Sequence, residues 1–251
     1  MRRVLMTALA GAAIGSATPA AAAITFNGTN GTLSAAATFD VNASGHLIVS
    51  LANTAAGDAN VPTDILHALF FDIAGSPSLT YTAANICGSC SFTQSGPTGT
   101  DVGAEWGYIS NASGIGGGIS QDYGLSSAGY GLPGTYAFVP GATNQPSQGT
   151  PPDGADYGLV PLSYTVAGDN GGVTANQPYI NNSVVFDLGA FNGSLADIGN
   201  IRFQYGTAIT DTHFTPSVPE PATWAMMLLG FGGIGMTMRA RRKNGRLLQI
   251  A

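Results

Sequence analysis

Asn200-Ile201-Arg202-Phe203-Gln204-Tyr205 is the stretch whose reading decides the fold class. Side chains of a strand alternate between two faces, so Ile201, Phe203 and Tyr205 share one face while Arg202 and Gln204 take the other. Outward from it, short β-branched or aromatic runs recur: Thr38 to Val41, His46 to Leu51, Ile65 to Ile73, Leu79 to Thr82, Trp106 to Ser110, Tyr136 to Val139, Leu159 to Val166 and Ser183 to Leu188. Turn residues separate them, among them Ser44-Gly45, Gly75-Ser76-Pro77, Asp169-Asn170-Gly171-Gly172 and Asn192-Gly193. Many short strands at this spacing predict an all-β domain, a single antiparallel β-sandwich of jelly-roll-like kind. Asp64 to Phe71 also reads as a helical turn, and periodicity does not arbitrate.

Gly103 to Gly158 has a different composition. Gly114, Gly116, Gly117 and Gly118 and the stretch Pro140 to Pro152 leave few apolar residues, so long loops on the β scaffold are expected. Asp122-Tyr123-Gly124-Leu125 returns as Asp156-Tyr157-Gly158-Leu159, but two copies do not make a repeat array.

Both ends read as addresses. Met1-Arg2-Arg3, the apolar stretch Val4 to Ala17 and the small residues Thr18 to Ala23 predict a signal peptide over 1–23, cut by signal peptidase after Ala23. At the other end Pro219 and Pro221 disfavour helix before them, and Ala222 to Met238 is 17 residues without a charge. That length is just enough for a single transmembrane helix, and Arg239, Arg241, Arg242 and Lys243 would hold the cytoplasmic side as a membrane stop. Residues 244–251 then form a cytoplasmic tail.

Pro219-Glu220-Pro221-Ala222-Thr223-Trp224-Ala225-Met226-Met227, followed by the apolar run and the basic cluster, resembles the PEP-CTERM sorting signal over residues 218–243. The sorting residues in that pattern are Pro219, Glu220, Pro221, Trp224 and Ala225. The resemblance implies recognition by an exosortase, a membrane-embedded cysteine peptidase-like transpeptidase of Gram-negative bacteria, cutting at or near Pro219-Glu220-Pro221. The protein would pass through an inner-membrane intermediate to the cell surface or extracellular matrix. Ala104-Glu105-Trp106, Asp122 to Gly129, Gly154 to Leu159 and Asn181 to Phe186 look like the ectodomains of exosortase-dependent surface proteins, a group with no assigned chemistry.

Between the addresses lies one domain, 24–217, large enough for a sizeable core. Arg202 is its only basic residue, and it holds thirteen of the fourteen acids, a formal net charge of −12 against −6 for the whole chain. Such a domain does not bind nucleic acid or anionic lipid through general electrostatics. It could attract cations or positively charged polysaccharide.

Cys87-Gly88-Ser89-Cys90 admits a dithiol centre, half a zinc site or a small disulfide. Zinc needs further ligands, and His46, His67 and His213 are scattered; Ser91 to Pro97 does not read as the helix that a redox pair prefers. An exported chain with two cysteines favours the disulfide. No nucleophile elbow, His-Glu-x-x-His or phosphate loop occurs, so no catalytic residues and no resident metal or other cofactor are expected. Calcium stays open, because Asp122, Asp153, Asp156 and Asp169 lie in glycine-rich loops.

The expected function is a non-enzymatic structural or adhesive surface protein, associated with exopolysaccharide or biofilm. Two alternatives stand beside it. A carbohydrate-binding module would use Trp106, Tyr108, Tyr123, Tyr130, Tyr136 and Tyr157 as platforms, although core packing is the plainer reading of Trp106. A hydrolase would need two facing carboxylates, for which Glu105 near Asp101 or a pair of aspartates are the material.

Overall fold

The computed structural model describes residues 22–94, 99–130, 139–140, 152 and 155–216. The expected signal peptide up to residue 21, most of the expected run Tyr136 to Val139, and the expected sorting signal with its tail lie outside the described residues. What is described is all-β, with a four-residue helix, Gly171–Thr174, as its one α-helix.

One sheet has five strands, in the order β1 (Ile24–Asn30), β2 (Leu33–Val41), β3 (His46–Asn53), β12 (Ser183–Ala190) and β5 (Ala83–Ile86). Period-two patterning builds it. Ala35, Ala37 and Phe39 of β2, Leu47, Val49 and Leu51 of β3, and Val184, Phe186 and Leu188 of β12 are buried, while the residues between them are mostly half-exposed. The turn between β2 and β3 is shaped by Gly45 (φ 78°) and by the Asn42 side chain, which accepts from the Ser44 and His46 N–H groups.

The other sheet has nine strands. Seven run in the order β6 (Ser91–Phe92), β11 (Ile180–Asn181), β10 (Leu159–Val160), β4 (Leu66–Ile73), β8 (Tyr123–Ser126), β7 (Gly107–Ile109) and β9 (Val139–Pro140). β13 (Ile198–Tyr205) also pairs with β4, and β14 (His213–Phe214) pairs with β13. Pairing is antiparallel throughout, except that β10 and β11 run parallel. The two sheets share one core: Phe39 of the first lies 5.2 Å from Phe71 of the second, ring to ring, and Phe186 lies 5.3 Å from Trp106.

β4 is buried on both faces. Leu69, Phe71 and Ile73 enter the shared core, while Ala68 and Phe70 pack beneath loops carrying Ala112, Ile119, Ala128 and Tyr130. The strand over Ile65 to Ile73 is thus real. The helical alternative shrinks to a single 3-10 turn, Pro62–Asp64, just before it.

Four expectations need correction. Leu79 to Thr82 is not a strand: Thr80 and Thr82 donate to the Leu188 and Asp187 carbonyls, but Gly189 (φ 70°) breaks the regular ladder, which begins at Ala83. Leu159 to Val166 stops as a strand at Val160, because Pro161 has no N–H to donate and Leu162 turns 72% exposed. The strand β1 has no counterpart among the expected runs, because its Thr and Asn residues mask the alternation. Within Gly103 to Gly158, the described part holds β8, which the expected loops left out, as well as β9 and β7, the latter inside the expected run Trp106 to Ser110.

Candidate functional site

The carboxylates are largely bonded to the turns around them: Asp58 accepts from Ala59 and Thr165, Asp64 from the Asn60 and Val61 N–H groups, Asp101 from Gly103 and Asp211 from Ala208. Asp72 and Asp122 come together, but Asp72 accepts from the Asp122 N–H at 2.7 Å and from Asn200 at 2.7 Å, while Asp122 accepts from Ser76. These bonds order the loops that carry them. Among the described residues, no group of three or more His, Cys, Asp or Glu could hold a metal ion; Asp153 lies outside them.

The aromatic candidates are interior. Trp106 is fully buried and donates Nε1–H to the Tyr157 carbonyl at 3.1 Å. Tyr108 and Tyr123 stack at 6.5 Å, and burial raises the pKa of both hydroxyls. Tyr130 is also buried, Tyr157 is half-exposed with its ring edge on Phe92, and Tyr136 lies outside the described residues. The buried rings therefore present no flat exposed platform.

Cys87 and Cys90 are joined in a disulfide across the turn between β5 and β6, where the chain leaves the edge of one sheet for the edge of the other. Cys87 N–H donates to the Ser183 carbonyl, which ties this corner to β12. Arg202 is not on a solvent face. It is 4% exposed, its Nη1 donates to Gly118 O at 3.0 Å, and its Nη2 donates to Gln204 Oε1 at 2.8 Å and Ile209 O. Burial lowers its pKa, with Tyr130 opposing. His67 sits where β4 carries one residue more than β13, wholly buried, with Nδ1 2.9 Å from Ser127 Oγ. Burial pushes its pKa down to about 3, which keeps it neutral.

The last described element has the clearest functional placement. In β14, Phe214 pairs with Phe203; its ring stacks on Tyr205 at 5.6 Å and lies 5.7 Å from Phe203. It also crosses to the first sheet, where a Cβ on Gly28 of β1 would stand 2.9 Å from two of its ring carbons. A glycine is needed for β1 to lie that close. Tyr205 closes the clasp by donating its hydroxyl to the Ser34 carbonyl of β2 at 2.9 Å. Neither Gly28 nor Phe214 stood out in the sequence. The available signal was Asn30-Gly31, a hairpin turn that could have located β1.

After Phe214 come only Thr215 and Pro216 before the C-terminal segment. Residues 217–243 match the PEP-CTERM protein-sorting motif. The match includes Pro219, Glu220, Pro221, Trp224, Ala225, Arg239, Arg241, Arg242 and Lys243, all outside the described residues. A PEP-CTERM motif implies exosortase as processing partner, and an exported, membrane-passing protein sorted to the cell surface. No curated protein and no solved structure matches the chain. Among the described residues no helix is long and apolar enough to cross a membrane, and the run Ala222 to Met238 is not among them.

Proposed function

We propose that this chain is a cell-surface or extracellular-matrix protein with a structural or adhesive role, not a catalytic one, delivered through exosortase and associated with exopolysaccharide. The PEP-CTERM match at 217–243 carries the reading. In it, signal peptidase removes 1–23, the bilayer holds Ala222 to Met238, and the basic cluster from Arg239 stays cytoplasmic. Pro219-Glu220-Pro221 then lies just outside the membrane, where the processing enzyme meets it.

The domain supports a non-catalytic role through the way its acids are used. Asp58, Asp64, Asp72, Asp101 and Asp211 accept hydrogen bonds from nearby N–H and O–H groups, an arrangement that orders loops. A formal charge of −12 keeps copies soluble and apart outside the cell and disfavours anionic surfaces. The core shared by the two sheets supports the sandwich reading of the ectodomain, and its sequence resemblance to exosortase-dependent surface proteins points the same way.

Removal of Pro219 to Lys243 tests the proposal. Fractionation of cells expressing the shortened chain is expected to find the domain lost to the medium or misrouted. Unchanged display at the surface would overturn the sorting role.

A further inference from the structure

We propose that the folded domain governs its own processing: Phe214, seated on Gly28, ties the sorting signal to the domain by a four-residue leash, so the β1–β14 end is held against the membrane while exosortase acts. This rests on the reading that exosortase works at the PEP-CTERM motif.

Thr215, Pro216, Ser217 and Val218 separate Phe214 from Pro219. A fully extended chain covers at most about 3.6 Å per residue, so Pro219 lies within about 18 Å of Phe214. A domain of this size is about 40 Å across. The leash is thus less than half the width of the body it tethers, and Pro216 restricts it further. From Phe214 to Ala222, where the apolar run begins, the limit is about 29 Å, of which the headgroup layer takes about 5–8 Å. Phe214 therefore stays within about 21–24 Å of the headgroup layer, about half the width of the domain.

The anchor sets this length. Phe214 is buried between Tyr205, Phe203 and Gly28, so the chain is fixed up to that residue. Were β14 to leave its seat, the fixed point would retreat to Tyr205 and the leash would lengthen to about 50 Å. Charge fits the same placement. β1, β14 and Thr215-Pro216 carry no carboxylate, although the domain has a formal charge of −12, so the strands nearest the tether add no negative charge of their own. Ile24, the expected first residue after signal peptidase, begins the same strand as Gly28. Both processed ends therefore belong to one clasp.

The test uses the full chain in a host containing exosortase, with the processed fraction read by intact mass. Deleting Thr215 and Pro216 cuts the limit from Phe214 to Pro219 from about 18 Å to about 11 Å and is expected to lower that fraction about tenfold, because the body of the domain then crowds the enzyme away from the motif. Replacing the pair by Gly-Ser should leave it unchanged, which separates length from sequence. In the deleted chain, six Gly/Ser residues inserted after Phe214 should restore processing, as should Phe214→Ala, which frees β14; Phe214→Tyr should not restore it. Limited proteolysis of the intact chain in membranes checks that each variant remains folded, and the insertion keeps the proposal testable if Phe214→Ala does not. Equal processing of the deleted and unaltered chains, or no rescue by the insertion, overturns the leash. An unaltered chain that keeps its tail in this host defeats the sorting reading itself.

Discussion

Four of the five strands in the first sheet span seven to nine residues, and each pairs along nearly its whole length with a neighbour. In the nine-stranded sheet, β6, β9, β10, β11 and β14 are two residues long, and of these β10 pairs with β4 and β14 with β13, while β6 and β11 extend one side of the sheet and β9 ends the other. The first sheet is specified largely by its own alternation and hairpin turns. The second depends on what distant segments bring against β4. The repeated Asp-Tyr-Gly-Leu illustrates the contrast. Leu125 pairs with Leu69 and Leu159 with Leu66, both on β4, and each preceding glycine lies where a Cβ would crowd a β4 residue: 2.8 Å from Phe70 at Gly124, 2.5 Å from His67 at Gly158. The echo marks two places where small size, rather than repetition, is required.

The largest expected effect tests whether the two sheets are one unit. Trp106, beside β7, packs on Phe186 of β12, so Trp106→Ala empties space belonging to both. A loss of about 3–5 kcal/mol is expected for the processed protein in denaturant titration. Hydrogen exchange should then show both sheets opening together; protection kept in β2 and β3 alone would mean separable units.

Glycine substitution sharpens the difference in kind. In Gly158→Ala the new methyl meets His67 and Ile65 at 2.5 Å, and overpacking of about 1–3 kcal/mol is expected. Gly45→Ala in the first sheet meets nothing within 4 Å and bears only the cost of φ 78° for a residue with a Cβ, about 1 kcal/mol. Equal losses, measured as denaturation midpoints, would erase the distinction.

Acid provides the third comparison, because the second sheet alone buries a histidine. His67 stays neutral in the folded protein down to about pH 3, whereas the unfolded chain takes up a proton below the ordinary value of 6.5. Stability is thus unaffected by His67 above pH 6.5 and falls as the pH drops from 6.5 toward 3. Between pH 7.5 and pH 5 the expected loss is about 2 kcal/mol, and His67→Gln should remove it. An unchanged pH slope in that variant would place the acid sensitivity elsewhere.

Legibility in the sequence followed the same division. The runs around Phe39, Val49 and Phe186 were readable because each strand declares its buried face by alternation. The run Leu159 to Val166 misled because Pro161 outweighed its apolar content, and β1 was hidden because Thr and Asn fill its exposed positions. The sorting signal was readable in full, since motif, apolar length and basic cluster are contiguous and need no fold to be recognised. The seat of Phe214 on Gly28 was not, because 186 positions separate the two residues and nothing local to either names the other.

The sequence by itself determined the period of the strands, the acidity of the domain and the address at its end, because backbone alternation, charge and a contiguous signal are local properties. Only the tertiary structure decided that Arg202 and Gln204 are interior, that the Cys87–Cys90 turn is the corner between sheets, and that the last strand clasps the first. Whether a face meets solvent or another element depends on residues far away in the chain, and burial is a property of the assembled whole.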